Sequence, residues 1–446
     1  MSAGAGAGAF PSWVLLEPFI LRRDRASTFP DETMAPISFS GTTSCGDNFF
    51  LAFHLVDPPG ISSLYAHLPA FGKNEVPVAF LSTHRHLALL RVATLDYHDH
   101  LTQDLFVFDA SASDVSRCLL HLPVCMEPPF DYNRLDGSLR RRRRHPRIAQ
   151  PRLMAVKSMG ILSRQDGEFA VAEMNFYMPM DTLFADICLF RSSANKWTYM
   201  RVPVLHSGDH ALDTQQLCFW VTSSVVPVGR WLCWIDYYRG ILFCDLFAKP
   251  NPTVSYLRLP VDEFPKTNNR SRTCRWMYRC VSAVDDGNVV KFVDVARSDD
   301  IGYGALRPGA GFTITCHTLM LDGVDKWDKE TMGSVVWHKD WTVTSDELWS
   351  ANPPELLPRE APTFPQVNID RPHVVHFLLT EFGYVMKKMW VVAIDMSTGK
   401  VESCSQYLNG RDGIGTDREK LTDWRSICPM PFLPCEFTKY LLHFPM

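Results

Sequence analysis

Short, aromatic-rich strand pairs that recur along the chain constrain its fold more than any other feature of the sequence. Runs of Val, Ile, Phe, Tyr, Trp and Cys are bounded by Pro, Gly, Asp and Asn, the pattern of short strands separated by turns. Five pairs share one layout: an apolar strand, a polar turn, then a strand with an aromatic or large apolar residue. They are Leu105–Asp109 with Cys118–Leu122, Ile187–Phe190 with Trp197–Val202, Leu242–Leu246 with Val254–Leu259, Thr318–Leu321 with Ser334–Trp337, and Trp390–Asp395 with Val401–Tyr407. Further apolar runs lie upstream, as in Cys218–Ser223 with Arg230–Ile235, or Val289–Val295 with Phe312–Cys316, which makes four strands per unit. Long helical periodicity is scarce, and the 31 prolines remove backbone donors wherever a helix interior would need them.

A four-stranded sheet is too thin to shield both its faces, and radial repetition lets each sheet bury them against its neighbours, as in a β-propeller. The expected fold is therefore all-β, a β-propeller of six four-stranded blades: Trp13–Asp57, Val76–Cys125, Arg152–Val204, Cys218–Val261, Cys274–Trp337 and Phe364–Leu408. The apolar tail Pro434–Leu442 is expected to pair with an N-terminal strand and close the ring. Two stacked β-domains divided near residue 150 are the alternative. Residues 1–12 read as a flexible Gly/Ala-rich tail, and 13–446 as one domain with an Arg-rich inter-blade loop at about 126–151.

Lys and Arg number 45 against 49 Asp and Glu, a net charge of −4, so no global field attracts nucleic acid or an anionic membrane. The 13 cysteines form no C-x-x-C pair and sit largely inside apolar runs, which predicts free thiols in a reducing compartment, cytoplasmic or nuclear and not secreted. Asp96, His98, Asp99 and His100 bring two imidazoles onto one strand face but no third ligand, so no metal site is expected; His84 and His86 read as a hydrated loop. Gly302-Tyr303-Gly304 and Gly309 lack the phosphate-loop lysine, since Ala310 stands in its place, and an inter-strand insertion is expected there. No Gly-x-Ser-x-Gly occurs. No catalytic residue and no cofactor is assigned.

Two segments stand out as candidate sites. Arg140, Arg141, Arg142, Arg143 and Arg144, continued by Arg147 and Arg152, read as a solvated loop, with nuclear import or phosphate contact as its functional reading. No aromatics are interleaved to stack bases, which disfavours nucleic acid as the partner. The aromatic-rich Trp231–Asp245 segment contains Asp236, Tyr237, Tyr238 and Arg239, residue types that either fill a core around a tight turn or anchor a protein partner.

The opening Trp13-Val14-Leu15-Leu16-Glu17-Pro18-Phe19-Ile20-Leu21-Arg22-Arg23, the central Trp231 to Asp245 segment and Leu257-Arg258-Leu259-Pro260 resemble the plant domain-of-unknown-function family DUF1618, expanded in grasses. The resemblance implies a plant source and a propeller-like fold, and it implies no activity. No F-box precedes Trp13, which weakens a ubiquitin-ligase adaptor role. The expected function is a monomeric, non-enzymatic protein-interaction scaffold, because loops at the propeller mouths vary without disturbing the core. A propeller hydrolase with a central-channel site, or a nuclear protein contacting nucleic acid through the Arg140–Arg144 loop, are the alternatives.

Overall fold

The computed structural model describes residues 10–31, 33–72, 75–95, 101–114, 117–126, 151–177, 183–206, 210–249, 251–261, 274–299, 301–324, 327, 334–382, 388–409 and 417–441. The chain begins with β1 (Val14–Leu16), β2 (Leu21–Arg23), β3 (Ile37–Thr42), β4 (Asn48–His54) and β5 (Ile61–His67). Next come β6 (Val78–His84), β7 (Leu87–Leu95), β8 (Leu101–Asp109), β9 (Leu119–His121), β10 (Met159–Ser163), β11 (Phe169–Tyr177), β12 (Phe184–Arg191) and β13 (Lys196–His206). Helix α1 (His210–Leu217) leads into β14 (Ser224–Val228), β15 (Trp231–Asp236), β16 (Gly240–Cys244) and β17 (Val254–Arg258). Then follow β18 (Arg279–Val284), β19 (Val289–Arg297), β20 (Phe312–Met320), β21 (Trp337–Thr344), α2 (Ser345–Ala351), β22 (Thr363–Val367), β23 (Val374–Glu381), β24 (Lys388–Asp395), β25 (Lys400–Asn409), α3 (Asp417–Ile427) and β26 (Leu433–Cys435).

Five consecutive quartets, β6–β9, β10–β13, β14–β17, β18–β21 and β22–β25, are antiparallel meanders. The second and third are stitched into one eight-stranded sheet by parallel pairing of β13 with β17. The remaining sheet runs β26-β1-β5-β4-β3, with β2 also on β5, so the first and last strands of the chain share a sheet. Strand β1 pairs antiparallel with β26, Val14 opposite Cys435 and Leu16 opposite Leu433.

The apolar residues dictate how these sheets stack. Phe39, Phe53 and Leu64 of the first sheet pack on Phe80, Phe106 and Phe108 of β6–β9. Leu89 and Val107 pack on Ile161, Val171 and Phe190 of β10–β13, whose Ile187 and Leu189 meet Trp234 and Leu242 of β14–β17. Trp231 and Phe243 meet Phe292 and Leu319 of β18–β21, and Ile314 and Cys316 share a cluster with Phe377 and Val391 of β22–β25 and with Trp13, Leu15 and Tyr65 of the first sheet. The sequence of contacts returns to its start. The result is an all-β, propeller-like ring of sheets, each large buried side chain contributing about 1.5–3 kcal/mol.

Ring closure rests on α3 as well as β26. Asp417, Leu421 and Arg425 recur every fourth residue and so share one helix face. Asp417 accepts both Nη atoms of Arg23, at 2.7 and 2.5 Å. Arg425, only 1% exposed, places Nη2 at 2.9 and 3.0 Å from the two carboxylate oxygens of fully buried Glu17 and gives Nη1 to the carbonyl of Met430. The Tyr407 hydroxyl of β25 donates to the same carboxylate and accepts from Arg425 Nε. Burial first, and then the Glu17 charge, holds that phenol well above its ordinary pKa, so it remains a donor. Phe432 lies 4.3 Å below the guanidinium.

Several expectations need correction. The first unit extends past Asp57 to His67, because β5 pairs in parallel with β1 and β2 and hairpin spacing does not reveal a non-local pairing. Cys218–Ser223 is a loop behind α1 and not a strand. Phe312–Cys316 and Thr318–Met320 belong to the single strand β20, bent at a register shift between Cys316 and His317, and the expected strand Ser334–Trp337 is instead β21, which starts at Trp337. His84 is part of β6 and not of a hydrated loop: its Nδ1 accepts the Ser163 N–H at 2.9 Å across two sheets, and burial lowers its pKa to about 3. Leu89 and Val107, before position 150, share a core with Ile161 and Val171, after it. The tail pairing is as expected, through Leu433–Cys435.

Arg425→Met is expected to cost about 3–5 kcal/mol in urea unfolding, because it strands the buried Glu17 carboxylate without its counter-charge. Glu17→Gln combined with Arg425→Met recovers part of that loss. Gly287→Ala is expected to destabilise by more than about 2 kcal/mol, since Gly287 has a φ of +87° and its Cβ would fall 1.9 Å from the Gly229 nitrogen in the neighbouring sheet's turn.

Candidate functional site

Strands β15 and β16 join through the turn Tyr237–Arg239, and Gly240 follows where a Cβ would lie 2.4 Å from the Leu257 carbonyl. The register pairs Asp236 with Gly240, so the carboxylate sits at the turn end of two fully buried strands. Asp236 has no exposed surface. Its Oδ1 accepts the Tyr238 N–H at 2.9 Å, and its Oδ2 accepts Arg239 Nη1 at 2.8 Å and the Val221 N–H at 2.9 Å. Burial raises its pKa above the ordinary 3.8; the Arg239 charge and the two N–H donors oppose that rise.

The other three predicted residues are also partly internal. Tyr237 is buried, its hydroxyl accepting from Ser224 Oγ at 3.1 Å and its carbonyl from Arg279 Nη1. Tyr238 and Arg239 are half-buried, Tyr238 accepting the Arg275 N–H at 3.2 Å. Asp236 and Tyr237 thus have next to no surface to offer a partner, and only Tyr238 and Arg239 reach solvent.

The structure brings this hairpin against a segment that sequence reasoning assigned to a strand. Between α1 and β14, Trp220 turns inward, 5.8 Å from the Phe176 ring and 6.2 Å from the Tyr256 ring. Its neighbours turn outward: Phe219 is 49% exposed and Val221 64%. The loop is held at both ends. Asp213 of α1, buried, accepts Arg258 Nε at 2.6 Å, and Asp236 holds the Val221 amide. The short apolar run Phe219-Trp220-Val221 was the available signal, but it reads equally well as a strand.

Other predicted positions divide between the described and undescribed residues. Arg140 to Arg144, and the Asp96, His98, Asp99, His100 cluster, lie outside the described residues. Arg152, counted with the arginine run, is turned inward onto Glu173 at 2.5 Å and stacks 5.1 Å over the Tyr199 ring. The Gly302–Gly309 insertion lies between β19 and β20, where Arg297 pairs with Asp299 at 2.7 Å and donates to the Gly304 and Ala305 carbonyls. Among the described residues no group of three or more His, Cys, Asp or Glu side chains is placed to hold a metal ion, and no helix is long and apolar enough to cross a membrane.

Residues 234–376, which begin inside β15 at the foot of this site, match the profile of the family described as "Protein of unknown function (DUF1618)". Over that stretch, about a third of its length, the chain is similar to the DUF1618 family. The matched segment contains Asp236, the turn after it and the sheet β18–β21, while the Phe219–Val221 loop precedes it. No curated protein matches the chain. Among solved structures, Kuenenia stuttgartiensis hydrazine synthase is similar at 12% identity and a TM-score of 0.23, over 51% of this chain and 46% of that one, less than half its length. The catalytic domain of the Coprinopsis cinerea GH62 α-L-arabinofuranosidase is similar at 9% identity and a TM-score of 0.28, over 89% of this chain and 98% of that one. CoXyl43, a GH43 β-xylosidase/α-arabinofuranosidase from a compost microbial metagenome, has 10% identity and a TM-score of 0.26, over 58% and 86%. At such scores these likenesses transfer no chemistry to this chain.

Asp236 binds its proton more tightly in the folded than in the unfolded chain, so its ionisation removes stability as pH rises from 3.8 towards its folded pKa. Asp236→Asn is expected to abolish that downward component, while costing about 2–4 kcal/mol at pH 7 by leaving Arg239 without its counter-charge. Urea unfolding of both proteins between pH 4 and 7 measures the two effects.

Proposed function

We propose that this chain is a non-enzymatic protein-interaction scaffold: one domain from Trp13 onward, a six-bladed propeller whose Phe219–Val221 loop docks a protein partner. Each of the five antiparallel quartets would be one blade, and the composite sheet of β1, β3, β4, β5 and β26 the sixth. The scaffold is a monomer, and its setting is the cytoplasm or nucleus of a plant cell.

The observation that carries this reading is the outward placement of Phe219 and Val221 on a loop fixed from inside by Asp213 and Asp236. Phe219 and Val221 are 49% and 64% exposed, so a partner covering them would recover about half to two thirds of the roughly 1.5–3 kcal/mol that full burial of each is worth. An ordered loop also binds without the entropic cost of being ordered by its partner. Tyr238 and Arg239 flank it with residue types enriched at interface anchors.

Affinity purification of tagged full-length chain is expected to recover a defined protein that Phe219→Ala/Val221→Ala releases, with affinity at least about tenfold weaker and unfolding unchanged. Alanines at Arg140 to Arg144 are expected to leave capture intact. Loss of capture with the arginine change alone would favour a phosphate-bearing partner.

A further inference from the structure

The interface between β6–β9 and β10–β13 contains two cysteines, Cys125 and Cys188, both buried in its apolar core. The register places Glu173, Cys188 and Tyr199 side by side across β11, β12 and β13, so they share one sheet face. Over that row lies the segment leaving β9. Its Cys125 carbonyl accepts the Arg152 N–H at 2.8 Å, and its Pro123 carbonyl accepts the Trp197 indole N–H at 2.7 Å. These bonds fix the backbone on which Cys125 rides. Its sulfur lies 3.7 Å from Cys188 Sγ and 3.0 Å from the Tyr199 hydroxyl. Neither cysteine is in a disulfide, and they are 5% and 2% exposed.

We infer that Cys125 and Cys188 form a thiol–disulfide modification site whose oxidant is a hydroperoxide. A disulfide needs the sulfurs about 2.05 Å apart, and these two face each other 3.7 Å apart across the sheet interface. In the first step one thiol sulfur gives its electron pair to the terminal peroxide oxygen; the O–O bond breaks, and a sulfenic acid and a molecule of water (an alcohol, for an organic peroxide) result. In the second, the other sulfur attacks the sulfenic sulfur, the S–S bond forms, and the hydroxyl leaves as water with the remaining thiol proton. Two thiols are oxidised and one peroxide is reduced. The product joins the second sheet in chain order to the third, residues separated by 63 positions, and so removes conformations from the unfolded chain. A buried small peroxide is the suitable oxidant because the sulfurs are closed to bulky disulfides.

The test treats folded, reductant-free full-length protein with hydrogen peroxide, traps remaining thiols with N-ethylmaleimide in denaturant, and maps peptides without reduction. The expected result is a Cys125–Cys188 linked peptide lighter by two hydrogens than its parts, split by dithiothreitol, with a thermal midpoint several degrees higher in the oxidised protein. Cys188→Ala abolishes the linked peptide, and Cys125→Ala serves equally should the first variant fold poorly. Recovery of both as alkylated thiols while exposed Cys218 and Cys428 are oxidised overturns the assignment. Joining of either cysteine to a third does the same.

Discussion

Every sheet in this chain is apolar on both faces, so none of them can end the stack. A row of such sheets is stable only if it returns to its own beginning, and the return is made by β26 on β1 and by α3 over the first sheet. The Glu17–Arg425–Tyr407 cluster is the part of that closure most sensitive to geometry. A buried ion pair adds little net stability compared with apolar packing, but it penalises any arrangement that separates its members. Glu17 follows β1, Tyr407 lies in β25 and Arg425 in α3, so the charge is satisfied only when both ends of the chain meet. The hydrophobic effect supplies the affinity of sheet for sheet, and this cluster selects the closed register.

With the cores enclosed between sheets, chemistry and recognition are left to the ends of the strands. The Asp236 hairpin shows how a buried group acts there without being exposed. It holds an amide of the adjacent loop, and that loop projects Phe219 and Val221. The DUF1618 match begins at Trp234, whose indole N–H is donated to the Ser158 carbonyl 2.8 Å away, tying this hairpin to the preceding sheet.

The strand pairs were legible because each is local: an apolar run, a tight polar turn and a second run identify Ile187–Phe190 with Trp197–Val202 without knowledge of the rest. The closing strand was legible too, since an apolar tail has few other places to go. What failed was non-local or ambiguous in period. Parallel pairing of β5 with β1 joins residues 46 apart, Leu15 with Ile61, and leaves no turn signature. Cys218–Ser223 opens with an apolar run like a strand yet is a loop, because Asp213 of α1 is drawn to Arg258 and the chain must turn before β14. Asp417, Leu421 and Arg425 carry a helical period over only three turns, too short to stand out against a mostly β background. At the candidate site, Asp236, Tyr237, Tyr238 and Arg239 marked the right hairpin by composition; whether a side chain points in or out depends on register, which composition does not encode.

Hydrogen–deuterium exchange of the native full-length chain tests ring closure most directly. The account predicts that amides of Val14–Leu16 and Leu433–Cys435 are protected to the same free energy as those of the central strands β12 and β23, because opening the closure opens the ring. Exchange of those two segments at the rate of a free tail, while the other sheets remain protected, would contradict it.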